Sequence, residues 1–221
     1  MSERKISFSS GEFYHVYNRG NSKQLIFHDA NDFNRFMKLL YVSNGSVISR
    51  NLFSRKKEIF KTNRQKPLVA IGAYCLMSNH FHILLTEIEV GGISKFMQKL
   101  TTGYSMFYNN KYKRTGTLFE GKFRSEHVDE DRYLKYLFSY IHLNPVKLID
   151  SHWKTQGIKN ADAAKLFIAS YRYSSYQDYL GTQRDESSII SSAQFPNYFS
   201  TSADIEKEIF EWIMFNRESL T

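Results

Sequence analysis

Cysteine is nearly absent from this chain. Of 221 residues only Cys75 carries a thiol, which excludes an internal disulfide and a cysteine-built zinc cluster and fits a reducing, cytoplasmic setting. Cys75 lies inside AIGAYCLM and reads as a small apolar core residue. No apolar run approaches the ~20 residues of a membrane-spanning helix, so no membrane partner is expected. The opening stretch, MSERKISFSSGEF, has no apolar centre of the kind a secretion signal carries. Internal repeats and low-complexity tracts are also missing. Acidic residues are in deficit, 22 Asp and Glu against 30 Lys and Arg, for a formal charge of +8. Such an excess favours a polyanionic partner, nucleic acid or an anionic membrane surface.

What is present argues for a folded chain. Apolar residues make up 42% and aromatic residues 16%, too many for a disordered segment. The length suits one domain with an appendage. Glu12 to Asn18 alternates and is rich in β-branched and aromatic types, so it reads as a strand ended by Gly20. DANDFNRFMKLLYVSN places Phe33, Phe36, Met37 and Leu40 at helical spacing, with Asp29 or Asn31 as N-cap. PLVAIGAYCLMSNHFHILLTEIE reads as two strands joined by a tight turn near Met77 to Asn79. GISKFMQKLTTGYSMFYNNKY is helical in its period, and GTLFEGKFRSEHV reads as a fourth strand. DEDRYLKYLFSYIHLNP is a helix opened by acidic residues and stopped at Asn144-Pro145, because the residue before proline avoids the α region.

The resulting βαββαβ order predicts an α+β fold, a ferredoxin-like antiparallel sheet with helices on one face. Residues 1–148 read as the principal domain. Residues 149–221, with a Tyr/Ser-rich stretch and a final amphipathic helix near Ala203 to Arg217, read as a C-terminal extension packed on or near it.

The stretch MSNHFHILL, Met77 to Leu85, raises a chemical question, because two histidines interrupt an apolar run. Side chains at i and i+2 of a strand share a face, so His80 and His82 project together while Phe81, Ile83 and Leu85 face a core. Two imidazoles on a rigid element suit chelation of one divalent ion. SYIHLNPVK offers further groups, with Tyr140 and Asn144 at i and i+4 on one helix face. Asn144 can give an amide oxygen to the ion, with Tyr140 beside it. Two imidazoles and an amide form a neutral set with open positions, which suits Mg²⁺ or Mn²⁺ bridging to a phosphate. Two other roles fit the same residues. Tyr133, Tyr136 and Tyr140 also make one aromatic packing stripe, and Asn144 also serves as a helix cap.

The combination resembles the single-tyrosine HUH transposases, whose histidine–hydrophobe–histidine strand meets one nucleophilic tyrosine on a helix. His80-Phe81-His82 matches that motif and YIHLNPVK matches the nucleophile helix. YHVYNRGNSKQLIF, RTGTLFEGKFRS and YRYSSYQDYLG resemble segments of the REP-associated tyrosine transposase branch, within the IS200-like superfamily, so the likeness runs from about Gly11 to Gly181. The resemblance implies a ferredoxin-like core, Tyr140 as nucleophile, and His80, His82 and Asn144 as ligands of Mg²⁺ or Mn²⁺. It implies a single-stranded DNA endonuclease and strand transferase that acts near hairpins through a 5′-phosphotyrosine, and a monomer or homodimer.

Arg19, Lys111, Lys113, Arg114, Lys122 and Arg124 are the expected DNA-binding residues, with the basic run from Arg55 to Lys66 second. Tyr104 and Tyr108 are rival nucleophiles, with Tyr104 better read as core. The alternative reading is a domesticated hairpin single-stranded DNA-binding protein without strand-transfer activity. A third is a phosphodiesterase that uses water as nucleophile.

Overall fold

The computed structural model describes residues 8–45 and 58–218. The expected element order is present: β1 (Phe13–Arg19), α1 (Ala30–Ser43), β2 (Val69–Met77), β3 (His80–Glu87), α2 (Gly92–Tyr112), β4 (Arg124–Val128) and α3 (Asp131–Leu143). The four strands lie in the order β2-β3-β1-β4, and every neighbouring pair is antiparallel. Each βαβ crossover therefore straddles one strand, which is the ferredoxin-like arrangement.

Local chemistry sets the boundaries. Asp29 caps α1 by accepting from the Asp32 backbone N–H, which satisfies one of the donors a helix start leaves open. Gly91, at φ 74°, turns the chain into α2, a left-handed conformation that costs glycine little. The buried Glu87 carboxylate then accepts from the N–H groups of Gly91 and Ile93, placing an anion at the positive end of α2. The β2–β3 turn is two residues, because Met77 pairs with His80.

Two boundaries differ from the sequence reading. The fourth strand begins only at Arg124; the stretch before it is tied to the end of β1 through Asn21 N–H to Leu118 O and Glu120 N–H to Arg19 O. Asn144, although it precedes a proline, is α-helical at φ −52° and ψ −38°, and the chain runs on through a 3-10 turn, Asn144–Leu148. Proline is tolerated there because the first turn of a helix needs no amide hydrogen from it.

The helices do not share one face of the sheet. Helices α1 and α2 cover one side, where Phe36, Leu40, Phe96 and Tyr104 meet Ile71, Tyr74, Phe81 and Ile83. Helix α3 covers the other, where Leu134, Leu137, Phe138 and Ile141 meet Ala70, Ala73, Cys75 and Leu84. The small side chains of β2 on that side let α3 approach closely. Cys75 is buried among them, in the core role its sequence context indicates.

The C-terminal residues form α4 (Trp153–Gln156), α5 (Ala161–Ser170), α6 (Tyr176–Tyr179) and α7 (Ser202–Glu218). They close the free edge of β2. Leu76 N–H donates to Tyr173 O, Ser175 N–H to Tyr74 O, and Ser191 N–H to Ile71 O. An exposed sheet edge is otherwise a template for unwanted pairing. Helices α5 and α7 bury Leu143, Val146 and Trp153 in a third apolar cluster, and Lys135 of α3 pairs with Glu208 of α7 at 2.6 Å. Among the described residues no helix is long and apolar enough to cross a membrane.

Candidate active site

His80 and His82 project from β3 on the face that α3 covers, since Leu84 belongs to the α3 cluster and Phe81, Ile83 and Leu85 to the opposite one. Their rings are 5.0 Å apart between centroids. Tyr140, near the end of α3, stands edge-on to His82 at 5.8 Å. One turn later Asn144 ends the helix, and its Nδ2 donates to the Tyr140 carbonyl at 2.8 Å. That bond uses the donor end of the amide and leaves the acceptor end for the cleft. The cap role and a ligand role are thus compatible. His80, His82, Tyr140 and Asn144 all line one open cleft of about 660 Å³.

The imidazoles are held in the neutral form. Burial pushes His80 down to about 4, with the nearby charges of Lys147, Lys154 and Arg19 adding to the effect. Burial, then His15 and His80, push His82 well below the usual imidazole range. His80 Nδ1 lies 2.6 Å from Asn79 Oδ1. An amide oxygen only accepts, so Nδ1 carries the proton and Nε2 keeps its lone pair. A lone pair on a neutral imidazole is what a metal ligand requires.

The donor set can be tested against a divalent ion on these facts. Among the described residues no three His, Cys, Asp or Glu side chains are grouped to hold a metal. The donors beside Tyr140 are instead two neutral imidazoles and an amide oxygen, while the Glu120 carboxylate on the cleft wall is paired with Arg19. That set fits an ion completing its shell with water and phosphate oxygens, and does not fit a closed structural zinc site.

Tyr140 has two neighbours of different kinds. It ends an aromatic stripe in which Tyr133, Tyr136 and Tyr140 follow one another at 6.0 and 5.9 Å, with Trp212 of α7 4.5 Å from Tyr136. Its hydroxyl faces the cleft, where Lys154 Nζ donates to it at 3.1 Å and lies 4.2 Å from the ring centroid. The rival tyrosines have no such opening. Tyr104 is fully buried and donates to the Ile26 carbonyl, and burial raises its pKa strongly. Tyr108 is buried, donates to the Leu25 carbonyl at 3.1 Å and is bonded to His28 at 2.7 Å.

The basic residues divide by location. Arg19, Lys122 and Arg124 line the cleft, joined by Lys23, Lys147 and Lys154. Arg19 is paired with Glu120 on the cleft wall. Lys111, Lys113 and Arg114 lie outside it, at the far end of α2. Lys111 is bound by Asp29 at 2.8 Å and by the buried Asp32 at 2.6 Å, so it serves the fold. Lys113 is the left-handed C-cap of α2, and the Arg114 guanidinium lies 5.5 Å from the Tyr108 ring centroid. In the second basic run, Lys61 pairs with Glu58 and Arg64 covers the Tyr41 ring at 4.1 Å; Arg55, Lys56 and Lys57 lie outside the described residues.

His15, Glu126 and Lys154 escaped the sequence reading, as did the cleft residues Lys23 and Lys147. His15 on β1 contacts His82, Nε2 to Nδ1, at 2.9 Å. Its signal was its strand parity with Tyr17, which lacks meaning until β1 is known to pair with β3. Lys154 comes from the C-terminal stretch, and nothing in its sequence surroundings marks it.

The family model of IS200-like transposases matches residues 41–144, which include His80, His82, Tyr140 and Asn144 and stop short of His15 and Lys154. Curated protein sequences show no match. Among solved structures, a REP-associated tyrosine transposase bound to a REP hairpin aligns with 12% identity and a TM-score of 0.49, over 84% of this chain and 90% of that one.

Proposed function

We propose that this chain, which the family model of IS200-like transposases matches over residues 41–144, acts as such a transposase: it cuts and rejoins single-stranded DNA beside a hairpin with Tyr140 as nucleophile. The observation that carries this reading is the convergence of His80, His82, Tyr140 and Asn144 on one basic cleft.

His80 Nε2, His82 and the Asn144 amide oxygen would hold Mg²⁺ or Mn²⁺. When bound, that ion supplies Lewis-acid polarisation of the scissile phosphate. The chain's own groups do the rest. Arg19, Lys122 and Arg124 seat the DNA backbone in the cleft. The Tyr140 oxygen attacks phosphorus in line. Its bond to phosphorus forms as the P–O3′ bond breaks. The phenol proton passes to solvent and the departing 3′ oxygen takes one up, which leaves a 5′-phosphotyrosine and a 3′-OH. The Lys154 ammonium, 3.1 Å from the phenol oxygen, offsets its negative charge in both directions. The ester keeps the phosphodiester energy, so a 3′-OH can reverse the step and join a new strand without ATP.

Labelled hairpin single-stranded DNA incubated with Mn²⁺ tests the reading. A protein–DNA adduct that survives SDS is expected, and Tyr140→Phe should bind DNA without forming it. Cleavage without an adduct would assign the chemistry to water. Binding without cleavage would favour a domesticated hairpin-binding protein. An adduct in Tyr140→Phe would move the nucleophile to another tyrosine.

A further inference from the structure

His15 and His82 are both buried, yet neither is spare packing. They face each other across β1 and β3, with His15 Nε2 2.9 Å from His82 Nδ1 and nearly parallel rings 5.0 Å apart. On the far side of His15, Nδ1 is buried with no hydrogen-bond partner. The charge nearest it is the Glu126 carboxylate on β4, at 3.8 Å. Glu126 sits directly opposite His15 in the β1–β4 register. Tyr17 donates to its other oxygen at 2.8 Å and holds it there.

The Glu126 carboxylate, 3.8 Å away, favours one placement of the protons. A lone pair on His15 Nδ1 would point at an anion, so Nδ1 carries the proton. His15 Nε2 then keeps a lone pair and can only accept. His82 Nδ1 must therefore donate to it, and the lone pair of His82 is left on Nε2. That is the same tautomer that Asn79 imposes on His80. Two imidazoles held by different partners thus present the same nitrogen to the cleft. Ligating histidines elsewhere are oriented in this way by a second group on the opposite ring nitrogen.

We propose that His15 is a positioning residue for the metal site, with Glu126 behind it: the Glu126–His15 pair sets the tautomer and ring orientation of His82. This rests on the reading of His80, His82 and Asn144 as ligands. It assigns a role to β1 and β4, both of which contribute residues to the site from outside or beside the histidine strand.

Two measurements test it on the full chain. Long-range ¹⁵N–¹H spectra of the metal-free protein should show both His82 and His15 protonated at Nδ1; His82 protonated at Nε2 overturns the proposal, and this reading needs no substitution. Mn²⁺ affinity, read by electron paramagnetic resonance without DNA, should fall about 10–100-fold in His15→Leu. It should recover in part in His15→Gln, whose amide oxygen can again accept from His82. Metal-free thermal unfolding of each variant separates loss of fold from loss of metal. If His80→Ala abolishes Mn²⁺ binding while folded His15→Leu and His15→Gln keep the wild-type affinity, His15 has no positioning role and the ligand assignment stands. If His80→Ala and His82→Ala also bind Mn²⁺ like wild type, the ligand assignment itself fails and the proposal falls with it.

Discussion

Tyr104 and Tyr140 lie on opposite faces of one sheet, each on a helix and each among other aromatic rings. On the α1/α2 face the Tyr104 hydroxyl is consumed by the Ile26 carbonyl, and its ring packs on Phe27 and Phe36. On the α3 face the Tyr140 hydroxyl looks into a cleft, with a lysine ammonium as its partner. The same contrast holds for cations. Lys111 on the first side is bound to two carboxylates, one of them fully buried. Lys122 and Arg124 line the cleft on the second side. One face of the sheet has its polar groups satisfied internally and serves stability, while the other presents Tyr140, Lys122 and Arg124 to an open cleft.

Four substitutions can break or sharpen that contrast. Tyr140→Phe is expected to have the largest effect: adduct formation on hairpin DNA falls to background in a denaturing gel, while the unfolding temperature hardly moves. Phe36→Ala, on the other face, should destabilise the fold by about 3–5 kcal/mol in denaturant titration. Any residual folded fraction should cleave at the wild-type rate per active molecule. Tyr104→Phe leaves the Ile26 carbonyl without its donor and should cost about 1–3 kcal/mol. Its adduct yield should match the wild type, and a loss of adduct there would make Tyr104 the nucleophile and erase the distinction between the faces. Lys122→Ala should be the mildest. Stability should stay within about 0.5 kcal/mol of wild type, whereas the slope of log affinity against log salt should drop by about 1 if a phosphate contact is lost. An unchanged slope would remove Lys122 from the DNA path.

Lys111 shows what a sequence reading of basic residues leaves out. It stands in NKYKRTG beside Lys113 and Arg114 and has the same composition signal as they do. Whether a lysine meets a phosphate or an aspartate depends on Asp29 and Asp32, which are about 80 residues earlier in the chain and reach it only when α1 packs on α2. Charge clustering along the chain carries no information about partners that distant.

The period-2 and period-3.6 patterns determined the elements by themselves, because side-chain direction within a strand or helix is local geometry. The pairing of His80 with His82 on one face, the helical spacing of Tyr140 and Asn144, and the βαββαβ order all follow from it. Tertiary structure alone decided which side of the sheet α3 would cover, and hence that Tyr140 meets the histidines at all. It also brought His15, Glu126 and Lys154 to the site, from two other strands and from the C-terminal stretch. Those placements depend on strand register and on packing between segments far apart in the chain, and local residue spacing encodes neither.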